Sequence, residues 1–465
     1  MSETARAAGE RGLIARHAGT VLVGQLAVMA FGVTDTVVAG RFAENALAAL
    51  SVGAAIFVSV FVSLMGTLQA LLPVWAELHG AGRGHALGRS VRQSLYLAAL
   101  AIVAGMGLLL HPGPLLRWTQ VPEAMQTEVA RYLTVLAFAL PPALLFRLYS
   151  TLNQALGRPQ LVTWLQIGAL AVKLPLSIGL TFGVRIGGHG LPALGLLGCG
   201  LATLMVNWLM LGVAVWLLRT QPLYRRFRLW RRPERPDWAQ LRQFARLGVP
   251  GGLAVLVEIT SFTLMALFIA RLGTAAAAAH QIASNLTAVA YMAPLSLGLA
   301  TSARVSFWLG AGDAARARHA CRLGFELALG CALVLAGVMV LGRLPLAALY
   351  SANPEVAALA ATLLLATAGY HLADATQTMC VFVLRCYRVT VAPLAIYCTL
   401  LWGLGLAGSY LLAYHGLGPW PAMRSPLAFW VMSAAALGLT AMLFVLLLLY
   451  VIRQPRSPDA PAAVA

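Results

Sequence analysis

Twelve apolar runs alternate with short polar segments along the chain. A helix needs about 20 mostly apolar residues to cross a bilayer, and each run comes close to or exceeds that length. The runs lie near residues 14–38, 46–72, 93–111, 127–150, 161–184, 194–218, 245–270, 277–303, 319–343, 357–386, 393–416 and 425–452. This pattern predicts an all-α membrane protein with twelve transmembrane helices.

Basic residues are distributed unevenly among the polar segments. Of the 33 Lys and Arg residues, 24 lie in the even-numbered loops and at the two ends of the chain. Because cytoplasmic loops carry an excess of Lys and Arg, both termini are predicted to lie in the cytoplasm. The polar segment from Met1 to Ala18 lacks the apolar core of a cleaved signal peptide, so we expect the first apolar run to serve as an uncleaved insertion signal.

The two halves of the chain repeat one another weakly. A shift of 230 residues superposes Arg41 on Arg271 and residues 80–82 on residues 310–312. Two six-helix halves that both start in the cytoplasm are parallel repeats, with a pseudo-two-fold axis along the membrane normal. The predicted domains are an N-terminal six-helix lobe (1–218), a basic cytoplasmic linker (219–244), a C-terminal six-helix lobe (245–452) and a cytoplasmic tail (453–465).

Composition and motifs exclude several functional classes. Hydrophobic residues make up 60% of the chain and charged residues 10%, whereas a soluble domain has about 25% charged residues. The net charge of +18 lies between the apolar runs, so it indicates membrane topology and no nucleic-acid partner. The chain contains no GxxxxGK, HExxH or GxSxG sequence, so it is predicted to be neither an ATPase nor an enzyme of those types.

The linker and the cysteines are given structural interpretations. The densest basic stretch, within residues 219–246, is interpreted as a solvated loop that sets the topology, with contact to anionic lipid headgroups as the alternative. The six cysteines form no CxxC pair, so neither a disulfide framework nor a cysteine metal site is expected.

Three carboxylates lie deep within predicted spans. Asp35, Glu258 and Asp374 belong to spans 1, 7 and 10. Each would cost about 2.5–3.5 kcal/mol if it faced lipid at the helix centre, so we expect all three to face the protein interior or a water-filled cavity. Carboxylates bind H⁺ by protonation and Na⁺ as hard oxygen ligands, which suits ion coupling. The alternative is a neutral, hydrogen-bonded structural acid.

Other polar residues recur at helical spacing within the spans. In span 10, Tyr370, Asp374 and Gln377 share one helix face. Such stripes either line a cavity or hydrogen-bond neighbouring helices. The residues expected to line a substrate cavity are Gln25, Gln281, Asn285 and Gln377.

The chain has one lysine, Lys173, and it falls in the middle of span 5. An ammonium at that depth must be neutral, paired or extended to an interface. Asp35 is the deep carboxylate of the same half, so we predict that Lys173 and Asp35 form a polar site in the N-terminal lobe. The alternative is that Lys173 extends to an interface.

Three stretches together resemble one transporter family. They are VTDTVVAGRFAENALAALSVG, LGVPGGLAVLVEITSF with the following TAAAAAHQIASNLTAVAYMAPLSLGLATSARVSFWLGAGD, and YHLADATQTMCVFVLRCYR. In order and spacing they resemble the multidrug and toxic compound extrusion (MATE) family, in its NorM-like branch. The resemblance implies two six-helix lobes around a substrate cavity and the exchange of organic cations for Na⁺ or H⁺. It also implies that Glu258 and Asp374, with Tyr370 nearby, match the cation-site acids of the C-terminal lobe, and that Asp35 matches the N-terminal acid.

Two positions depart from the family pattern. Thr20 stands where many members have a proline early in span 1. Lys173 and Ser177 flank Pro175 where NorM-like members tend to carry asparagines that help to bind a cation. We therefore predict that the Lys173 ammonium takes the place of a bound cation and that coupling falls to the C-terminal lobe, where Na⁺ could bind Glu258 and Asp374.

These features predict a secondary active multidrug efflux transporter that works by alternating access. We expect a monomeric, multi-pass protein of the bacterial inner membrane that exports small organic cations and needs no cofactor besides the coupling Na⁺ or H⁺. One alternative is a flippase for lipid-linked precursors from a related two-lobed superfamily, which would have a basic cavity. Another is a membrane enzyme acting on lipid, which would need a cluster of His, Asp or Arg at one membrane face.

Overall fold

The computed structural model describes residues 3–118, 122–186, 189–231, 234–416, 418–419 and 421–454. Within these ranges, twelve helical segments are long and apolar enough to cross a membrane, which confirms the predicted number of spans. The helices up to the linker are α1 (Glu3–Phe42), α2 (Glu44–Gln69), α3 (Leu72–Gly80), α4 (Gly84–Leu110), α5 (Gly113–Trp118), α6 (Glu123–Ala155), α7 (Gln160–Phe182) and α8 (Leu196–Thr220). The later helices are α9 (Pro222–Arg225), α10 (Trp238–Ala270), α11 (Thr274–Gly310), α12 (Ala314–Leu341), α13 (Arg343–Tyr350), α14 (Pro354–Cys386), α15 (Val391–Tyr397), α16 (Gly408–Tyr414) and α17 (Pro426–Arg453).

Two departures from regular α-helix stand out. A short antiparallel hairpin, β1 (Val184–Ile186) and β2 (His189–Leu191), follows α7 in the otherwise helical fold. In the eleventh span, α15 and α16 are joined by a π-helical segment, Cys398–Ala407. Such segments are rare and are found frequently at functional sites.

The helices repeat in the same order along the chain. Helix α4 begins at Gly84 and α12 at Ala314, and α8 begins at Leu196 and α17 at Pro426, so both pairs are 230 residues apart. This spacing matches the shift seen in the sequence.

The chain forms two compact units. The N-terminal unit runs from Val23 to Gly252, and the C-terminal unit holds α1 up to Leu22 together with the chain from Leu253 onward. The division therefore falls inside α1 and α10, whereas the sequence-based domains divide at the linker.

The first turns of α1 are anchored within the C-terminal unit by an ion pair and by apolar packing. The Glu10 carboxylate accepts hydrogen bonds from Arg304 at 2.7 and 2.8 Å and from the Trp308 indole at 3.2 Å. One and two turns on, Ile14 and Ala18 belong to the buried apolar core of the same unit. These contacts explain why the start of α1 is grouped with the C-terminal helices.

The basic linker docks on the N-terminal unit. Glu234 forms an ion pair with Arg92, and its carbonyl accepts a hydrogen bond of 2.7 Å from the Tyr96 hydroxyl. Tyr224 and Phe227 are buried. The interpretation of this stretch as a solvated loop is therefore wrong for these residues, because tertiary contacts hold them on α4 and its neighbours.

Candidate functional site

A buried ion pair occupies the interior of the N-terminal unit. Lys173 on α7 is 0% exposed. Its ammonium lies 2.9 Å from each carboxylate oxygen of Asp35 on α1 and donates to the Thr203 hydroxyl on α8 at 2.6 Å. The Ser177 hydroxyl, one turn beyond Lys173, lies 3.4 Å from Asp35 Oδ1. The structure thus brings Lys173 and Asp35 together as the sequence predicts, in a set whose formal charges cancel.

This arrangement satisfies the requirements of a charge buried at membrane depth. Removing one partner of a buried pair leaves an uncompensated charge, which costs about 3–5 kcal/mol. The three oxygens around the ammonium, two from Asp35 and one from Thr203, form the kind of ligand set that binds a small cation.

The C-terminal unit holds an acid in a hydrogen-bonded chain. Asp374 on α14 is 2% exposed, and its Oδ1 accepts a hydrogen bond of 2.8 Å from the Gln377 amide. The Tyr397 hydroxyl in turn donates to the Gln377 carbonyl oxygen. Because Tyr397 occupies that oxygen, the amide NH₂ of Gln377 is turned toward Asp374.

Glu258 on α10 is the second acid of this site. It is partly buried, and the charges of Asp374 and Arg385 act on it electrostatically. Neither acid forms an ion pair with any residue that the structure describes. Arg385 is 7% exposed, and its guanidinium lies 5.1 Å from the ring centre of Phe382. With two acids and one arginine, this site carries a surplus negative charge when both acids are ionised.

Tyr370 lies one turn before Asp374, buried in an aromatic cluster. Its ring packs edge-on against Phe262 at 5.8 Å and Trp430 at 5.7 Å between ring centres. Four of the six site residues predicted for the C-terminal lobe thus lie in one part of the unit: Glu258, Tyr370, Asp374 and Gln377.

The residues expected to line a substrate cavity differ in exposure and in hydrogen bonding. Gln281 and Asn285 are exposed on α11, and the Gln281 amide donates to Asn285 Oδ1 at 3.2 Å. Gln25 is half-buried. Gln377 is buried and bonded to Asp374, so it belongs with the acid cluster and not with the exposed amides.

Sequence reasoning missed several residues around the acids, among them Tyr397 and Arg385. Tyr397 sits in an apolar run without other polar landmarks, but a tyrosine buried in a span needs a hydrogen-bond partner for its hydroxyl. Arg385 stands at the end of span 10, where a basic residue indicates topology before it indicates a site.

Comparison with known proteins agrees with this architecture. Residues 21–178 and 250–411 match the family model described as MatE. A probable multidrug resistance protein NorM of Aromatoleum aromaticum is 38% identical over 451 residues, covering 96% of this chain and 95% of that protein. The multidrug resistance protein PmpM of Pseudomonas aeruginosa is 36% identical over 405 residues, covering 87% and 83%.

Solved structures show the same fold. The eukaryotic MATE transporter AtDTX14 has a TM-score of 0.83 at 19% identity, covering 95% of this chain and 96% of that one. A mutant of the Vibrio cholerae MATE transporter VcmN has a TM-score of 0.83 at 18% identity, covering 97% and 98%. Family members are transporters and not enzymes, and twelve spans make this chain a multi-pass membrane protein. The chain belongs to the MatE family of multidrug and toxic compound extrusion transporters.

Proposed function

We propose that this multidrug efflux transporter of the bacterial inner membrane exchanges organic cations for Na⁺ or H⁺, and that the exchange is coupled at Glu258 and Asp374. Its relatives are multidrug resistance proteins, which supports drug efflux as the activity. The chain has no GxxxxGK sequence, which leaves an ion gradient, a partner protein or the substrate's own gradient as the energy source, and of these we propose the ion gradient.

The observation that carries this proposal is the difference in charge between the two buried sites. In the N-terminal unit the Lys173 ammonium cancels the charge of Asp35 at 2.9 Å. In the C-terminal unit, neither Glu258 nor Asp374 forms an ion pair with a described residue, and the Arg385 guanidinium acts electrostatically on Glu258 alone of the two acids. A surplus negative charge attracts a cation, whereas a neutral pair does not. The C-terminal acids are therefore the ones available for exchange.

The donor set suits either coupling ion. Carboxylates take up H⁺ directly, and they are hard oxygen ligands for Na⁺. Among the described residues no group of three or more His, Cys, Asp and Glu could hold a metal ion. A bound Na⁺ would therefore complete its coordination with neutral oxygens or water beside the two carboxylates.

Coupling follows from the cost of charge inside a membrane protein. An unneutralised carboxylate pair is unfavourable in a closed, apolar interior, so the acids favour a bound cation whenever the interior is shut off from water. A coupling ion and a cationic drug both lower this negative charge, so the binding of one weakens the attraction for the other. Competition of this kind couples the two fluxes, and the ion gradient drives the exchange.

The exposed amides offer contacts to the drug. Gln281 and Asn285 each have donors and acceptors in excess of the one hydrogen bond between them. We assign them, with Gln25, to the substrate-binding surface, and we assign Gln377 to the orientation of Asp374. We also propose that the protein acts as a monomer, since the residues of each polar site come from one chain and neither site needs a second copy to complete it.

Transport by purified protein in vesicles tests this proposal. A Na⁺ gradient and an H⁺ gradient are imposed separately, and efflux of a fluorescent organic cation is followed in the wild type and in Glu258→Gln and Asp374→Asn. Gradient-driven efflux is expected to be lost in both amide variants and kept in Glu355→Gln, an exposed acid of the same helix as Asp374. Wild-type rates in both amide variants would show that these acids are structural.

A further inference from the structure

A small internal chamber lies beside the acid cluster of the C-terminal unit. It has a volume of about 30 Å³ and is bounded by α10, α14, α16, α17 and the π-helical segment. Its lining includes Ser261, Met265, Tyr370, Gly405, Trp430 and Ser433. A water molecule needs about 10–15 Å³ of such space, so the chamber has room for one or two waters.

The lining contains buried polar atoms that lack protein partners. Trp430 is 0% exposed, and neither its indole N–H nor the Ser261 hydroxyl has a hydrogen-bond partner among the described residues. The Ser433 hydroxyl reaches only the sulfur of Met265, at 3.8 Å. Buried donors are rarely left unpaired, and a polar cavity with several such groups is where ordered water is found.

The chamber is lined by residues that lie one helical turn from each of the two acids. On α10, Ser261 comes one turn after Glu258, and on α14, Tyr370 comes one turn before Asp374. Spans 7 and 10 run in opposite directions, so both steps lead to the same side of the acids. With the N-terminus in the cytoplasm, as the basic residues predict, this side faces the exterior, from which the coupling ion enters.

The internal repeat places the chamber at the position that the Asp35 site occupies in the N-terminal unit. The 230-residue shift aligns Asp35 with Met265 and Thr203 with Ser433. In the N-terminal unit the Thr203 hydroxyl lies 3.4 Å from Asp35 Oδ2, and in the C-terminal unit Ser433 contacts Met265. The chamber is thus the counterpart of the N-terminal polar site, without the ion pair that fills that site.

We propose that this chamber holds ordered water and forms the inlet through which the coupling ion, Na⁺ or H⁺, reaches Glu258 and Asp374. Water held by the Trp430 N–H and the serine hydroxyls hydrates an arriving Na⁺ or relays an arriving proton. Tyr370 stands between the chamber and Asp374. The assignment of the chamber as an ion inlet rests on the proposed coupling at Glu258 and Asp374, whereas the presence of water in the chamber does not depend on it.

Radiolytic hydroxyl-radical labelling of the purified protein tests for the water, since bound water generates radicals beside otherwise buried side chains. Met265 and Trp430 are expected to be labelled several-fold faster than Met339 and Trp75, which are equally buried but do not line the chamber. The indole N–H of Trp75 is already bonded to Ser90, so it is a dry reference. Equally slow labelling of both pairs would overturn the proposal.

Filling the chamber tests the inlet. Ser261→Leu is expected to slow labelling of Met265 and to slow gradient-driven efflux several-fold, while the drug still binds. Thr263→Leu, at an exposed position of the same helix, should leave both unchanged. Ser433→Val is a smaller change in the same chamber, so it keeps the test usable if Ser261→Leu does not fold. If both chamber variants fold and pump at wild-type rates, the chamber is not the inlet. Failure of the proposed coupling function would give a different result, namely normal gradient-driven efflux by Glu258→Gln and Asp374→Asn.

Discussion

Separating the Lys173–Asp35 pair should destabilise the protein more than removing the pair entirely. The Lys173 ammonium is fully buried and lies 2.9 Å from both carboxylate oxygens, with Thr203 as a further partner. Lys173→Met leaves Asp35 as a buried unpaired acid, and Asp35→Asn leaves the ammonium unpaired. Each single change should cost about 3–5 kcal/mol of unfolding free energy.

The double variant removes both charges together. Replacing a buried ion pair by neutral side chains of similar volume is often neutral or stabilising by about 1–4 kcal/mol. Lys173→Met with Asp35→Asn should therefore be much closer to the wild type than the sum of the single losses. The difference between that sum and the double loss is the coupling energy of the pair.

Equilibrium unfolding in detergent gives the unfolding free energy of the wild type, the two single variants and the double variant. As a control, Thr203→Val removes one neutral ligand of the ammonium and should cost about 1–3 kcal/mol. A double variant whose loss equals the sum of the two single losses would refute the reasoning, because the two residues would then be energetically independent.

Three other changes test separate parts of the structure. Glu10→Gln weakens the two hydrogen bonds to Arg304 and should lower the unfolding free energy by about 1.5–3 kcal/mol in a denaturant titration, with no change refuting the anchor. Tyr397→Phe releases the Gln377 carbonyl and should slow gradient-driven efflux several-fold in a normally folded protein; an unchanged rate would show that Gln377 needs no such support. Gly312→Ala places a side chain at φ +78°, with no atom within 4 Å of its Cβ, so strain alone should cost about 1–2 kcal/mol by thermal unfolding, and an unchanged melting temperature would contradict this.

The sequence predicts the spans well because the bilayer imposes one length and one composition on every crossing helix. The repeat is likewise visible as a fixed spacing of landmarks such as Gly82 and Gly312, both of which adopt a left-handed backbone conformation. The proximity of Lys173 to Asp35 also follows from elementary electrostatics, since a buried ammonium requires a partner and the half offers one deep acid.

Features that depend on tertiary contacts could not be predicted from the sequence. Burial of Phe227 in a stretch rich in arginine depends on a surface that only the folded N-terminal unit provides. The π-helical segment Cys398–Ala407 has no local marker beyond two glycines. Gln377 looks like any polar residue of a helix face, and its attachment to Asp374 is fixed by Tyr397, twenty residues further along the chain.

The central claim is that coupling belongs to the C-terminal acids and not to the neutral N-terminal pair. The most direct measurement compares gradient-driven efflux of a fluorescent organic cation by two variants in the same vesicles. The account predicts that Lys173→Met with Asp35→Asn still exports the cation under the gradient and that Asp374→Asn does not. Loss of coupled efflux in the first variant, or its retention in the second, would contradict the account.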